Sequence, residues 1–150
     1  MILRNAIRCK LCGDVIESTY RHDFKWCKCG NCAVDGGKSY LKRCFKTSPD
    51  DLEELSVSLE IYEYNGEYLY EEDYLPDWMM DAIYIDRTIY YDGDFGLWVN
   101  DRILSAGDYI VLEKDGSIRV YNRQELDIKI NDLLNMEVID EVSQENMEGI

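Results

Sequence analysis

Residues 9–32, CKLCGDVIESTYRHDFKWCKCGNC, place five of the six cysteines and the sole histidine within twenty-four positions, and no other stretch limits the possible folds as much. A tetrahedral zinc ion needs four soft or borderline donors, and two short thiolate-bearing turns that approach each other supply them. Cys9 and Cys12, followed by Gly13, make one such turn: the two-residue spacer lets both sulfurs face one ion, and the glycine lets the backbone fold beneath it. Cys27, Cys29 and Cys32 offer the second, with Gly30 in the matching place. Either Cys27 with Cys29 or Cys29 with Cys32 completes a four-cysteine set.

Disulfides, buried apolar cysteines or a redox pair are the competing readings. The leading segment MILRNAIRCK lacks the long apolar core of a secretory signal, which points to a reducing cytoplasm where thiolates are free for metal. Four protein ligands leave no coordination position open, so the expected ion is a single structural Zn2+ rather than a catalytic one. His22 could replace one thiolate or serve as an outer partner that steadies the turn. Among so many thiols the second role is favoured, with His22 packed beside Phe24 and Trp26 under the metal. Cys44 has no evident role.

Charge divides the chain. Residues 1–48 carry ten Lys and Arg against four Asp and Glu, a formal +6, whereas residues 49–150 carry six against twenty-seven, a formal −21. Four thiolates and a dication would leave the first segment near +4. In it Arg21, Lys25, Lys28, Lys38, Lys42, Arg43 and Lys46 alternate with Tyr20, Phe24, Trp26, Tyr40 and Phe45. Mixed cations and rings of this kind serve single-stranded nucleic acid, although a small metal domain also needs rings for its core. The acidic remainder repels nucleic acid and attracts basic surfaces. No apolar run approaches the roughly 20 residues that cross a bilayer, so no membrane partner is expected.

Ser48, Pro49, Asp50 and Asp51 predict a helix running through Leu52 to Leu55: serine caps it, proline suits its first position, and acids favour its positive end. SVSLEIYEY and EYLYEEDY alternate like strands around Asn65-Gly66, a pair suited to a hairpin turn. Pro76 opens a helix bearing Trp78, Met79 and Ile83. Strands are predicted over Thr88–Tyr91, Gly96–Val99, Tyr109–Glu113 and Ser117–Tyr121, with turns at Asp92-Gly93, Asn100-Asp101 and Asp115-Gly116. Asn122 and Glu125 match a helix start ahead of Leu126, Ile130, Leu133 and Leu134. The expected fold is α+β: an N-terminal zinc ribbon, then a small antiparallel sheet domain with flanking helices. The expected division is a basic ribbon over 1–48, a helix and hairpin linker over 49–74, an acidic α+β domain over 75–140 and a disordered tail over 141–150.

Two resemblances add to this reading. RNAIRCKLCGDVIES, HDF, CKCG and VDGGKSYLKR follow one another as in a family of short, uncharacterised bacterial and phage proteins. The likeness covers residues 4–43 and implies a zinc ribbon with Cys9, Cys12, Cys27 and Cys29 as ligands. PDWMMDAI, TIYYDGDFGLWVN and GDYIVLEKDGSIRVYNRQELDIKI resemble a small module frequent in phage-encoded proteins, over residues 75–130, departing from it in the final segment. Neither resemblance implies an activity.

Catalysis finds little support. Asp92, Asp94 and Gly96 echo a calcium loop without its spacing or its twelfth-position glutamate. The acids Glu71, Glu72 and Asp73 have no nucleophile or second histidine near them in sequence. The expectation is a non-enzymatic, phage-type accessory protein whose acidic surface binds a basic protein partner, imitating DNA as inhibitors of the anti-CRISPR kind do. The alternative is a nucleic-acid binding module that uses the basic ribbon. No small-molecule substrate is evident.

Overall fold

The computed structural model describes residues 1–69, 74–93 and 96–148, and the side chains of that range up to residue 136. The calcium-like Asp94 and the acids Glu71, Glu72 and Asp73 lie outside it. The chain is mixed: five small antiparallel sheets and two helices among the described residues. It divides into two compact units, Met1–Leu59 together with Lys129–Ile150, and Glu60–Ile128.

The first unit is built from strands too short to stand alone. In order they are β1 (Ile2–Arg4), β2 (Ala6–Cys9), β3 (Val15–Glu17), β4 (Lys25–Trp26), β5 (Cys32–Asp35) and β6 (Lys42–Phe45), followed by β7 (Leu52–Glu54) and β8 (Val57–Ser58). β2 lies between β3 and β7, β5 lies between β4 and β6, and β1 pairs with β8. The core is small: Ile7, Cys9, Cys27, Cys32 and Val34, with Cys12, Ile16 and Leu52 packed against it. Ile7 and Ile16 therefore pack against the cysteines, while Val15 faces solvent.

The helix predicted after Ser48 is a single 3-10 turn, Pro49–Asp51. Its cap forms, with the Asp50 N–H donating to Ser48 Oγ at 3.1 Å. It stops because Leu52 is already a strand residue opposite Cys9, and Glu53 and Glu54 stand opposite Arg8 and Ile7. Residues 49–59, expected to begin a linker, thus complete two sheets of the first unit.

The second unit holds β9 (Glu60–Glu63), α1 (Asp77–Tyr84), β10 (Ile89–Tyr91), β11 (Leu97–Val99), β12 (Arg102–Ile103), β13 (Tyr109–Leu112) and β14 (Ile118–Tyr121), and the start of α2 (Arg123–Glu148). The expected hairpin at Asn65-Gly66 does not form among the described residues. Asn65 makes a local turn, its Oδ1 accepting from the Glu67 N–H at 2.9 Å, and β9 pairs with β13 instead, Ile110 opposite Tyr62. The later strands fall where the alternation placed them, and β12 is an addition beyond the tight turn at Asn100. Met79, Ala82, Ile89, Leu97, Val99, Ile110 and Val120 form a conventional apolar core.

α2 opens on a reciprocal cap. The Glu125 N–H donates to Asn122 Oδ1 at 2.8 Å, and the Asn122 N–H donates to Glu125 Oε2 at 3.3 Å. The helix continues to Glu148, into the stretch 141–150 expected to be a disordered tail. No described helix is long and apolar enough to cross a membrane.

Candidate metal centre

Each of the two cysteine turns is fixed by its own backbone. In the first, the Gly13 N–H donates to the Cys9 carbonyl at 2.7 Å and the Cys9 N–H to the Asp14 carbonyl at 2.9 Å. In the second, the Gly30 N–H donates to the Cys27 carbonyl at 3.0 Å and the Cys27 N–H to the Cys32 carbonyl at 2.8 Å. Gly13 and Gly30 have φ of 74° and 70°, left-handed values that a side chain resists, so the glycines are what let each turn close. Asp14 ties one turn to the other: its carboxylate accepts from the Lys28 N–H at 2.9 Å. Sequence spacing gave no sign of this bridge.

The sulfurs of Cys9, Cys12, Cys27 and Cys29 all lie within 4.8 Å of one another. Cys9 Sγ is 3.7 Å and Cys27 Sγ 3.5 Å from Cys29 Sγ. A zinc–thiolate bond of about 2.3 Å gives a tetrahedron with an edge of about 3.8 Å, so the donor set has the size as well as the chemistry of a zinc site. Four cysteines close together could hold such an ion.

Cys12, Cys27 and Cys29 shift one another's ionisation. Burial opposes ionisation of Cys27, but the Cys32 backbone N–H and the neighbouring thiols outweigh it and bring Cys27 down to about 6. The Asn31 N–H favours a thiolate at Cys29, yet burial and the thiols beside it push Cys29 up to about 12. At Cys12, hydrogen bonds from the backbone of Cys29 and Asp14 lower the thiol from its usual value. The lowered Cys27 and the raised Cys29 thus lie side by side, and a bound dication would displace the proton that Cys29 keeps.

Cys32 and His22 stand apart from the four. Cys32 is wholly buried, its Sγ accepting from Asn31 Nδ2 at 3.4 Å, and burial raises its thiol to about 11. It serves as a small core residue beside the centre. His22 is exposed, with Nδ1 3.4 Å from the Tyr40 hydroxyl, rather than packed beneath the cysteines. Phe24 and Trp26 likewise face solvent. Cys44 is half-buried on β6, on the opposite face from Cys32.

A buried polar hub, which the sequence reading missed, joins the two sheets around the centre. Asn5, 1% exposed, donates through Nδ2 to the carbonyls of Asp35, Gly37 and Tyr40 at 3.1, 2.8 and 3.1 Å, and its Oδ1 accepts from Arg43 at 2.7 Å. Ser18 Oγ donates to the Asp23 carbonyl and accepts from the Gly37 N–H, both at 2.8 Å. Gly37 must be glycine: φ is 53°, and a Cβ there would sit 2.4 Å from the Tyr20 backbone. The segments RNAI, IES, HDF and VDGG, far apart in sequence, meet here.

Residues 1–45 match the model of a family described as a domain of unknown function (DUF7695). This agrees with a likeness to a short uncharacterised family over the cysteine region, and it does not extend to residues 75–130. No curated protein matches the chain, and no solved structure does.

Proposed function

We propose that this chain is a non-enzymatic binding protein whose first unit is held together by one structural zinc ion on Cys9, Cys12, Cys27 and Cys29. The observation that carries the reading is the cluster of four sulfurs that all lie within 4.8 Å of one another. Four protein thiolates fill the coordination sphere, leaving no position for substrate or an activated water. Zinc of this kind contributes folding free energy rather than chemistry.

The acidity of residues 49–150 supports a finer proposal for the partner: a basic protein surface, of the sort that binds nucleic acid, occupied by carboxylates standing in for phosphates. A nuclease or another defence protein with a basic groove would fit.

Metal analysis of protein purified under reducing conditions tests the first claim. One zinc per chain, lost in Cys9→Ser and Cys27→Ser but kept in Cys44→Ser, is the expected result; wild-type protein without metal rejects it. For the second claim, the protein should displace DNA from a basic nuclease groove, and an inability to compete at low salt rejects that partner.

A further inference from the structure

The sheet of β4, β5 and β6 has two unlike faces. Antiparallel register puts Lys25, Val34 and Arg43 on one side with Cys32 and Phe45, and Trp26, Ala33 and Cys44 on the other with Asp35 and Lys42. The side of Cys32 and Val34 closes over the cysteine core. The other side carries Trp26, 46% exposed, with Phe24 two residues earlier at 43%. Their rings meet edge to face, with centroids 5.4 Å apart at 76°. Lys46, next in the alternation after Lys42 and Cys44, holds its ammonium 5.3 Å from the Trp26 ring centroid.

Two aromatic rings left in water beside a β-sheet need a reason, since each would gain by burial. A core role is excluded by their exposure. The charge around them is positive: Lys42 and Lys46 make no ion pair among the described residues, and the carboxylate on that face, Asp35, is buried, accepting from the Gly36 N–H and the Tyr40 hydroxyl. Lys25 is turned away to Asp23 and the Glu17 carbonyl. Arg43 is engaged by Glu54. What remains is a pair of rings with Lys46 against Trp26 and Lys42 further along the same face of β6.

We propose that this face, Phe24, Trp26, Lys42 and Lys46, binds single-stranded nucleic acid, the rings stacking on unpaired bases and the ammonium groups meeting the flanking phosphates. A duplex hides its base planes and could use only the cations. The surface requires only the pairing of β4 with β5, Trp26 opposite Ala33, so it stands or falls separately from the metal reading above.

The test is a fluorescence-anisotropy titration of a labelled twelve-nucleotide oligothymidylate with the full chain, zinc being quantified on the same sample. Binding should weaken with salt, and a duplex of the same length should bind less tightly. Trp26→Ala should weaken binding by at least about fivefold, while Lys46→Gln should flatten the slope of log affinity against log salt by about 0.7. Both residues are exposed, so circular dichroism of the variants should match wild type. A folded, zinc-loaded protein that ignores the oligonucleotide at low salt overturns the proposal and leaves the metal site standing. Equal affinity for duplex and single strand, unchanged by Trp26→Ala, also overturns it, since phosphate attraction alone would then explain binding. Trp26-dependent binding by a sample without zinc supports the platform and rejects the metal reading.

Discussion

The two units solve the same problem by different means. Between Glu60 and Ile128 the chain buries Met79, Ile89, Leu97, Val99, Ile110 and Val120 in a core of ordinary kind. The cysteine unit has eight strands of two to four residues, and its fully buried core includes three cysteines among five residues. So little apolar surface is a weak support for so many short sheets. The cysteine cluster and the Asn5 hub take the place of a larger core. The difference implies that metal removal and cavity creation should act on different halves of the molecule.

The largest effect should come from the ligands. Cys27→Ser removes one of four donors, and structural zinc in small domains contributes on the order of 10–16 kcal/mol of apparent binding free energy. The cysteine unit should unfold, read as lost zinc and loss of the amide dispersion of residues 1–59, while residues 60–128 keep theirs. If the zinc content is unchanged by Cys27→Ser, the comparison fails.

Met79→Ala tests the other half. Met79 is fully buried in the apolar core, and truncating such a side chain costs about 2–5 kcal/mol. Denaturant unfolding should shift in the second unit alone, with zinc per chain unaltered.

Asn5→Ala is the next in size. It leaves three backbone carbonyls and the Arg43 guanidinium without that partner, and a buried polar group left unsatisfied costs about 1–3 kcal/mol. Zinc should still bind, but the cysteine unit should melt at lower temperature; an unchanged melting temperature would show that the hub is incidental.

Acid acts on both halves and separates them by order. The Thr19 backbone N–H, outweighing burial with help from Lys25, holds Asp23 below the usual carboxylate range, and Arg102 does the same for Glu125 in the second unit. Folded values below the unfolded ones mean stability that is fully present above the unfolded carboxylate value of about 4 and lost as pH falls from there through the lower folded values. Thiolate ligands take up protons in competition with metal. The cysteine unit should therefore fail first on acid titration, followed by zinc release and tryptophan emission. Simultaneous loss of both units would break the distinction.

How much of this was legible follows from how local each feature is. The cysteine turns are written in spacing and glycine, and Cys9, Cys12, Cys27 and Cys29 lie close together. The cap of Asn122 and Glu125 spans three residues and was readable for the same reason. Pairings across long separations were not. β9 alternates correctly, but nothing in its own residues names β13 as its partner rather than the segment after Asn65-Gly66. Leu52 ends the turn after Ser48 because of Cys9, forty-three positions earlier. Asn5 looks like any surface asparagine until three carbonyls from residues 35–40 converge on it. His22 was misplaced because closeness to cysteines in sequence was read as closeness in space.

Amide hydrogen exchange on the full chain, before and after a zinc chelator, tests the central claim most directly. The account predicts that chelation strips protection from the amides of β2, β5 and β7 while β11, β13 and β14 stay protected. Protection that survives chelation in β2 and β5, or that disappears equally from both units, would contradict it.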